Sequence, residues 1–270
     1  MHPGINNAAV GLAAMERVHA IGCLVGGDAW NASIHPLRRL DSGGIDIGLH
    51  LDFTASPLLA TSRRRLRALV AASLLRQLDG RGVRAEIRAQ LEAFEQALGH
   101  GPAFVDGHQH VHQLPVIRRE LLEELDDRYG PSAAWLRSTR VPPGCHAADR
   151  AGWRAFVKPW GIELLGARGL ASMARRMGFG QNRSLLGVYD FEGGADRYRA
   201  LLGAWLRCAS HADLLMCHPS LAQDKDDALL AARQAEFQVL SSAAFGTLLR
   251  DSGIELWPMS QILAHGKLPG

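Results

Sequence analysis

An alternation constrains this chain more than any other feature. Short apolar runs of β character recur along it, with amphipathic helical stretches between them. The runs are 20–27 (AIGCLVGG), 45–53 (IDIGLHLDF), 103–111 (AFVDGHQHV), 135–142 (WLRSTRVP), 184–191 (SLLGVYDF), 213–219 (DLLMCHP) and 253–259 (GIELWPM). Gly26-Gly27 closes the first, Gly43-Gly44 precedes the second, Gly101-Pro102 precedes the third and Pro142-Pro143 closes the fourth. Helical stretches fall at 5–18, 64–79, 83–98, 115–128, 196–209 and 226–250. In the last, Leu229, Leu230, Phe237 and Leu240 recur at helical spacing. Strands that alternate with helices run parallel and are joined by helical crossovers. Six or seven such units favour a barrel or a large open sheet, so the expected fold is α/β.

The start departs from this scheme. An α/β chain ordinarily opens on a strand, but this one opens on HPGINNAA, a loop running into a helix. Pro3 suits a first helical turn, and Ile5, Ala9, Leu12 and Met15 follow at helical spacing. No fixed-period repeat or low-complexity linker divides the chain, and a single domain over 1–270 is expected. The segment 143–183 is the least regular, rich in Gly, Arg and Trp. It is expected to be an insertion that lids the site or packs on a partner.

Composition removes several classes. Hydrophobic residues make up 47% and charged residues 21%, as in an ordinary globular enzyme. Net charge is only +3, and the basic run SRRRLR (62–67) is too short and isolated to argue for nucleic acid. No apolar run approaches the roughly 18 residues of a membrane span. The first residues lack the charged and apolar regions of a signal peptide. Cys23, Cys145, Cys208 and Cys217 form no CxxC pair, and their spacing suggests no disulfide framework. A reducing, cytoplasmic setting is expected.

Chemistry in parallel α/β folds gathers at the carboxyl ends of the strands. Three candidate strands end in histidine there: His50 in DIGLHL, His108 in VDGHQH and His218 in LLMCHP. The stretch FVDGHQHVHQLP (104–115) is the densest. In an extended strand Asp106, His108, His110 and His112 share one face. Two histidines at i and i+2 lie about 6.6 Å apart and can hold one ion. Spacing alone therefore favours His108 and His110 as ligands, against the plain alternative of solvated histidines at a polar strand end. Pro219 ends its strand and sets His218 at the rim, where a near-neutral imidazole suits acid or base work. Arg137 and Arg140 sit on another strand and suit an anionic or hydroxyl-rich substrate. Their plain alternative is surface arginine.

HPGIN, AIGCLV, DIGLHL, VDGHQHVH and MCHP, in that order, resemble the YdjC-like carbohydrate deacetylases from residue 2 to about residue 260. The resemblance implies a (β/α) barrel-like fold similar to the polysaccharide deacetylases. It implies metal-dependent removal of an acetyl group from an N-acetylated amino sugar, with Zn²⁺ or Mg²⁺ as the ion. His50 and His108 become the metal ligands, displacing His110 from the choice made on spacing. His110 and His112 become lining residues on the substrate side. Asp106 matches the aspartate before the histidine motif, and His218 matches the late histidine facing the site. Both are expected to be catalytic, with His218 protonating the leaving amine.

The family opens on a strand ending in Asp-Asp, one of these a third metal ligand, and this sequence begins inside the loop that follows. The expectation is that a short upstream segment carries that strand, and that the 270-residue form binds metal weakly and has little activity. The expected partner is an acetylated amino sugar, with a homodimer plausible and no nucleic acid or membrane involved. Two other functions compete: another barrel metallohydrolase such as a phosphoesterase, and a non-catalytic sugar-binding protein.

Overall fold

A computed structural model describes residues 2–41, 44–143, 145, 161–223 and 227–265. Helix α1 (Pro3–Ala14) begins where Pro3 needs no N–H partner and the His2 Nδ1 accepts the Gly4 N–H at 3.1 Å. Strand β1 (Ala20–Cys23), helix α2 (Trp30–Asp41) and strand β2 (Asp46–Leu51) follow. Next come α3 (Leu66–Leu74), α4 (Gly80–Leu98), β3 (Phe104–Gly107), α5 (Pro115–Tyr129) and β4 (Trp135–Leu136). The chain then runs through α6 (Arg168–Met177), β5 (Leu185–Leu186), α7 (Gly194–Cys208) and β6 (Leu214–Leu215). It ends in α8 (Leu230–Leu240), α9 (Ala243–Asp251) and α10 (Met259–His265).

The strands form two parallel sheets, one in the order β1-β2-β3-β4 and one pairing β5 with β6. A bridge from Leu136 to Gln181, and the Leu185 N–H donating to the Arg140 carbonyl at 2.8 Å, lead from one sheet toward the other. Among the described residues no strand pair joins β6 to β1. The fold is therefore α/β with parallel strands, as the alternation requires, without a closed ring of hydrogen bonds. The central strands β2 and β3 are buried almost throughout. The outer strands differ: Gly22 of β1 is exposed and both residues of β6 are half-buried.

Two apolar cores flank these sheets. The larger lies between β1–β4 and α2–α6 and contains Leu49, Leu51, Ile87, Phe94, Val105, Leu121 and Leu136. The second surrounds α7, α8 and α9, with Tyr198, Leu202, Trp205, Val239 and Phe245. A third contact pins the amino ends of the strands. The Phe104 ring stacks on Trp135 at 4.5 Å, and a Cβ at Gly48 would fall 2.3 Å from that ring, so only glycine fits beneath it. The Trp135 Nε1–H donates to Asp46 at 2.8 Å, and Asp46 also accepts the Ser260 N–H at 2.9 Å.

Six of the seven apolar runs contain a strand. The seventh, 253–259, is irregular and leads into α10. Helix α2 falls where no helical stretch was expected and carries Pro36 within it. The run 226–250 contains two helices, because the chain turns at Ser241 and Ser242, and the Ser242 side chain caps α9. Within 143–183, residues 144 and 146–160 lie outside the described residues, while α6 shows the remainder to be partly helical. Cys145 and Cys208 form a disulfide with Cα atoms 5.5 Å apart, where the spacing suggested no disulfide framework. Spacing could not reveal it, because the partners are 63 residues apart in sequence and meet only through folding. No helix among the described residues is long and apolar enough to cross a membrane.

Candidate functional site

The site begins with register. β2 and β3 pair in parallel so that His50 stands beside Asp106. The carboxylate Oδ1 meets the His50 Nδ1 at 2.7 Å. Its other oxygen pairs with the Arg137 guanidinium, which enters from just beyond β4. Asp106 and Arg137 are 6% and 4% exposed, so this is a buried ion pair with an imidazole at its open end. Burial pushes the Asp106 pKa up, but Arg137 and then His50 outweigh it and hold the carboxyl well below the usual carboxylate range. A carboxylate so engaged is a poor proton acceptor. It is well placed to hold the hydrogen on the His50 Nδ1 and leave the Nε2 lone pair open.

The chain then turns sharply. β3 ends at Gly107, and residues 108–113 form a tight helical turn in which Gln109 and His110 have φ of 50° and 61°. The extended-strand geometry assumed for 106–112 therefore fails after Gly107. Two adjacent non-glycine residues in the left-handed region cost of order 1–3 kcal/mol each and persist only where their surroundings hold them. Arg137 contributes to that hold. Its Nη2 donates to the Gly107 carbonyl at 2.7 Å and lies 3.3 Å from the His110 Nδ1. His112 contributes from the other end, donating from Nε2 to the Arg137 carbonyl at 2.8 Å.

The turn sets the histidines apart. His108 stays beside His50, with ring centroids 5.6 Å apart and planes at 72°. Burial lowers its pKa, and the neighbouring His50 imidazole further disfavours its protonation. His110 is depressed well below the usual range by burial and then by Arg137. His112 is fully buried and pushed down to about 3 by burial. It faces β4 rather than the cleft, so as a substrate contact it is misplaced, because an enclosed ring reaches no ligand. Arg137 is likewise committed to Asp106 and Gly107. Arg140 is exposed, and its carbonyl receives the Leu185 N–H.

Two further elements border the cluster. Asp52, directly after β2, is fully buried and accepts the N–H groups of Thr54 at 2.8 Å and Ala55 at 3.0 Å. The Ser56 N–H follows at 2.5 Å. Burial pushes the Asp52 pKa up, and these backbone donors more than reverse it. Gln90 and Glu86 of α4 complete the hold on this loop. Gln90 bonds the Asp52 backbone on both sides, and Glu86 accepts the Leu58 and Leu59 N–H groups at 2.8 Å. From the opposite side, His218 follows β6 close enough to His110 to disfavour its protonation. The Arg137 Nη1 reaches Met216 Sδ at 3.5 Å, tying the end of β4 to that of β6.

Of the residues expected from sequence, His50, Asp106, His108, His110 and Arg137 are brought together, with His218 alongside. Asp52, Glu236 and the Cys145–Cys208 pair were not among them. Asp52 adjoins the GLHL motif and was within reach of pattern reading, whereas Glu236 sits in an ordinary amphipathic helix. As for a metal, the two imidazoles are suitable donors, and Asp106 presents one in the required tautomer. Among the described residues, however, no three His, Cys, Asp or Glu side chains are grouped to hold an ion.

The fold and this cluster define a class: a parallel α/β protein with an imidazole–carboxylate cluster at the carboxyl ends of its strands. The chain belongs to the YdjC-like protein family, whose model matches residues 1–251. It is similar to a human carbohydrate deacetylase, 31% identical over 138 residues, covering 46% of this chain and 40% of that protein. The mouse carbohydrate deacetylase is 31% identical over the same length, covering 46% and 42%. That of Danio rerio is 44% identical over 66 residues, covering 24% and 19%. The matches thus span less than half the length of these curated relatives. Among solved structures, an Enterococcus faecalis protein named for cellobiose-phosphate cleavage superposes with a TM-score of 0.68 at 17% identity. It covers 97% of this chain and 94% of its own, a likeness of fold.

Proposed function

We propose that this chain is a carbohydrate deacetylase that hydrolyses the acetamide of an N-acetylated amino sugar. The observation that carries the reading is the Asp106–His50 hydrogen bond with His108 beside it at the strand ends. Family membership and the names of the human, mouse and fish relatives support it. In this reading His50, through Nε2, and His108 hold a divalent ion, Zn²⁺ or Mg²⁺, together with donors beyond these two. Once bound, such an ion supplies Lewis-acid chemistry toward the acetyl carbonyl. The protein's own residues do the rest. Asp106 fixes the His50 tautomer, and Arg137 keeps Asp106 ionised and the 107–110 turn in place. His218, at the rim of β6, gives a proton to the departing amine. His110 lines the floor, and exposed Arg140 meets hydroxyl groups of the sugar. The barrel-like closure expected for the family, a single domain over 1–270 and a homodimer belong to the same reading.

The test is acetate release from N,N′-diacetylchitobiose and from N-acetylglucosamine, using chelator-treated protein resupplied with Zn²⁺ or Mg²⁺. Ion-dependent acetate release, lost in His50→Ala and His108→Ala, is expected. Calorimetric binding of the sugar without acetate release under any ion would refute the hydrolase reading and favour the sugar-binding alternative.

A further inference from the structure

His218 follows β6, its backbone held from behind by α8. Glu236, fully buried on that helix, accepts the His218 N–H at one carboxylate oxygen. At the other it accepts the Tyr189 hydroxyl, 2.8 Å away. One turn earlier, the Arg233 guanidinium donates to the His218 carbonyl at 3.4 Å, and the Arg233 carbonyl accepts the Ser220 N–H at 3.1 Å. Helix α8 thus grips the chain on both sides of Pro219. From the opposite side the Phe191 ring meets the His218 imidazole edge-on, with centroids 5.3 Å apart and planes at 76°.

A fully buried carboxylate costs several kcal/mol unless donors reach it. Packing α8 on the second core does not require one, since Phe237, Val239 and Leu240 supply apolar contact from the same helix. The donors that offset the cost at Glu236 come from Tyr189 and from the backbone of the cleft histidine. We propose that Glu236, oriented by Tyr189, is a positioning residue that fixes the His218 backbone and, through it, the aim of the imidazole toward the histidine cluster. The proposal rests on His218 being the proton-transfer group, and it extends that reading from the ring to what holds the ring.

The electrostatics agree. Burial raises the Glu236 pKa to about 7, against the lowering effects of the His218 N–H, Tyr189 and Arg233. The titratable and charged groups facing it are Tyr189 beyond β5, Tyr198 on α7, Cys217 and His218 beyond β6, and Arg233 on α8. The carboxylate therefore takes up a proton close to neutrality, where it loses acceptor strength toward the His218 N–H.

The experiment compares Glu236→Gln and Tyr189→Phe with Tyr198→Phe, which removes a nearby buried hydroxyl that makes no hydrogen bond among the described residues. The readout is the His218 imidazole titration by NMR on the full chain, with the resonance assigned by His218→Ala. The midpoint of that titration is expected to move in Glu236→Gln and Tyr189→Phe and to stay put in Tyr198→Phe. With active enzyme, kcat for acetate release is expected to fall about 10- to 100-fold at unchanged KM, the size of effect a misaimed catalytic group produces. An unmoved His218 midpoint in both test variants overturns the proposal, and if Glu236→Gln does not fold, Tyr189→Phe alone decides. If the midpoint moves while no form releases acetate, the positioning role stands and the deacetylase reading falls.

Discussion

Replacing Arg137 by Met tests the organisation of the whole cluster. The side chain is 4% exposed and has four partners: the Asp106 carboxylate, the Gly107 carbonyl, the His110 imidazole and the Met216 sulfur. Methionine keeps most of the volume and removes every donor. Asp106, itself 6% exposed, keeps only His50. Removing one member of a buried ion pair costs about 3–5 kcal/mol, mostly from the charge left behind. Urea unfolding at pH 7 reads this directly. With a slope near 3 kcal/mol/M, toward the upper end for chains that expose much surface, the midpoint falls by about 1–1.7 M. Asp106→Asn in the same background removes the stranded charge, so the double variant is expected to be more stable than the sum of the single losses. Below about 1 kcal/mol for Arg137→Met, or strict additivity in the cycle, the buried pair is not what holds the site together.

Two other measurements bear on the structure. His112 is neutral in the fold with a pKa of about 3. Its stabilising contribution is therefore fully present above the ordinary histidine value and is lost as pH falls through the folded one. Between pH 6.5 and 5 this amounts to about 2 kcal/mol, while Glu236, whose pKa is raised to about 7, works in the opposite direction over that range. The comparison is thus wild type against His112→Asn, and equal slopes of stability with pH would contradict the assignment. Thiol titration of denatured, unreduced protein is expected to find Cys23 and Cys217 free and Cys145 joined to Cys208. Closing so long a loop stabilises by about 4 kcal/mol, so reduction is expected to lower the melting temperature, and four free thiols before reduction would exclude the cross-link.

Much of the fold was legible because periodicity is local. The strands around Leu49 and Val105 announce themselves as apolar runs bounded by Gly and Pro, and most of α4 as the helical stretch 83–98. Elements without such marks escaped. Helix α2 carries a proline, and the break at Ser241-Ser242 is a cap hidden inside a longer helical pattern. The histidine turn escaped for a related reason. Gln109 and His110 have no intrinsic preference for positive φ, and contacts to residues far along the chain impose it.

What the sequence determined by itself is the class of fold and the residue types at its strand ends, because side-chain period and turn chemistry act over a few residues. Only the tertiary structure decided which of those residues face each other. The register of β2 on β3 put His50 against Asp106, and the path of the chain beyond β4 brought Arg137 to the same carboxylate. The tight turn after Gly107 kept His108 beside His50 and sent His112 into the wall. α8 placed Glu236 behind His218. Those pairings follow from how helices and strands close on one another, and a buried charge shows its partner only where the two meet.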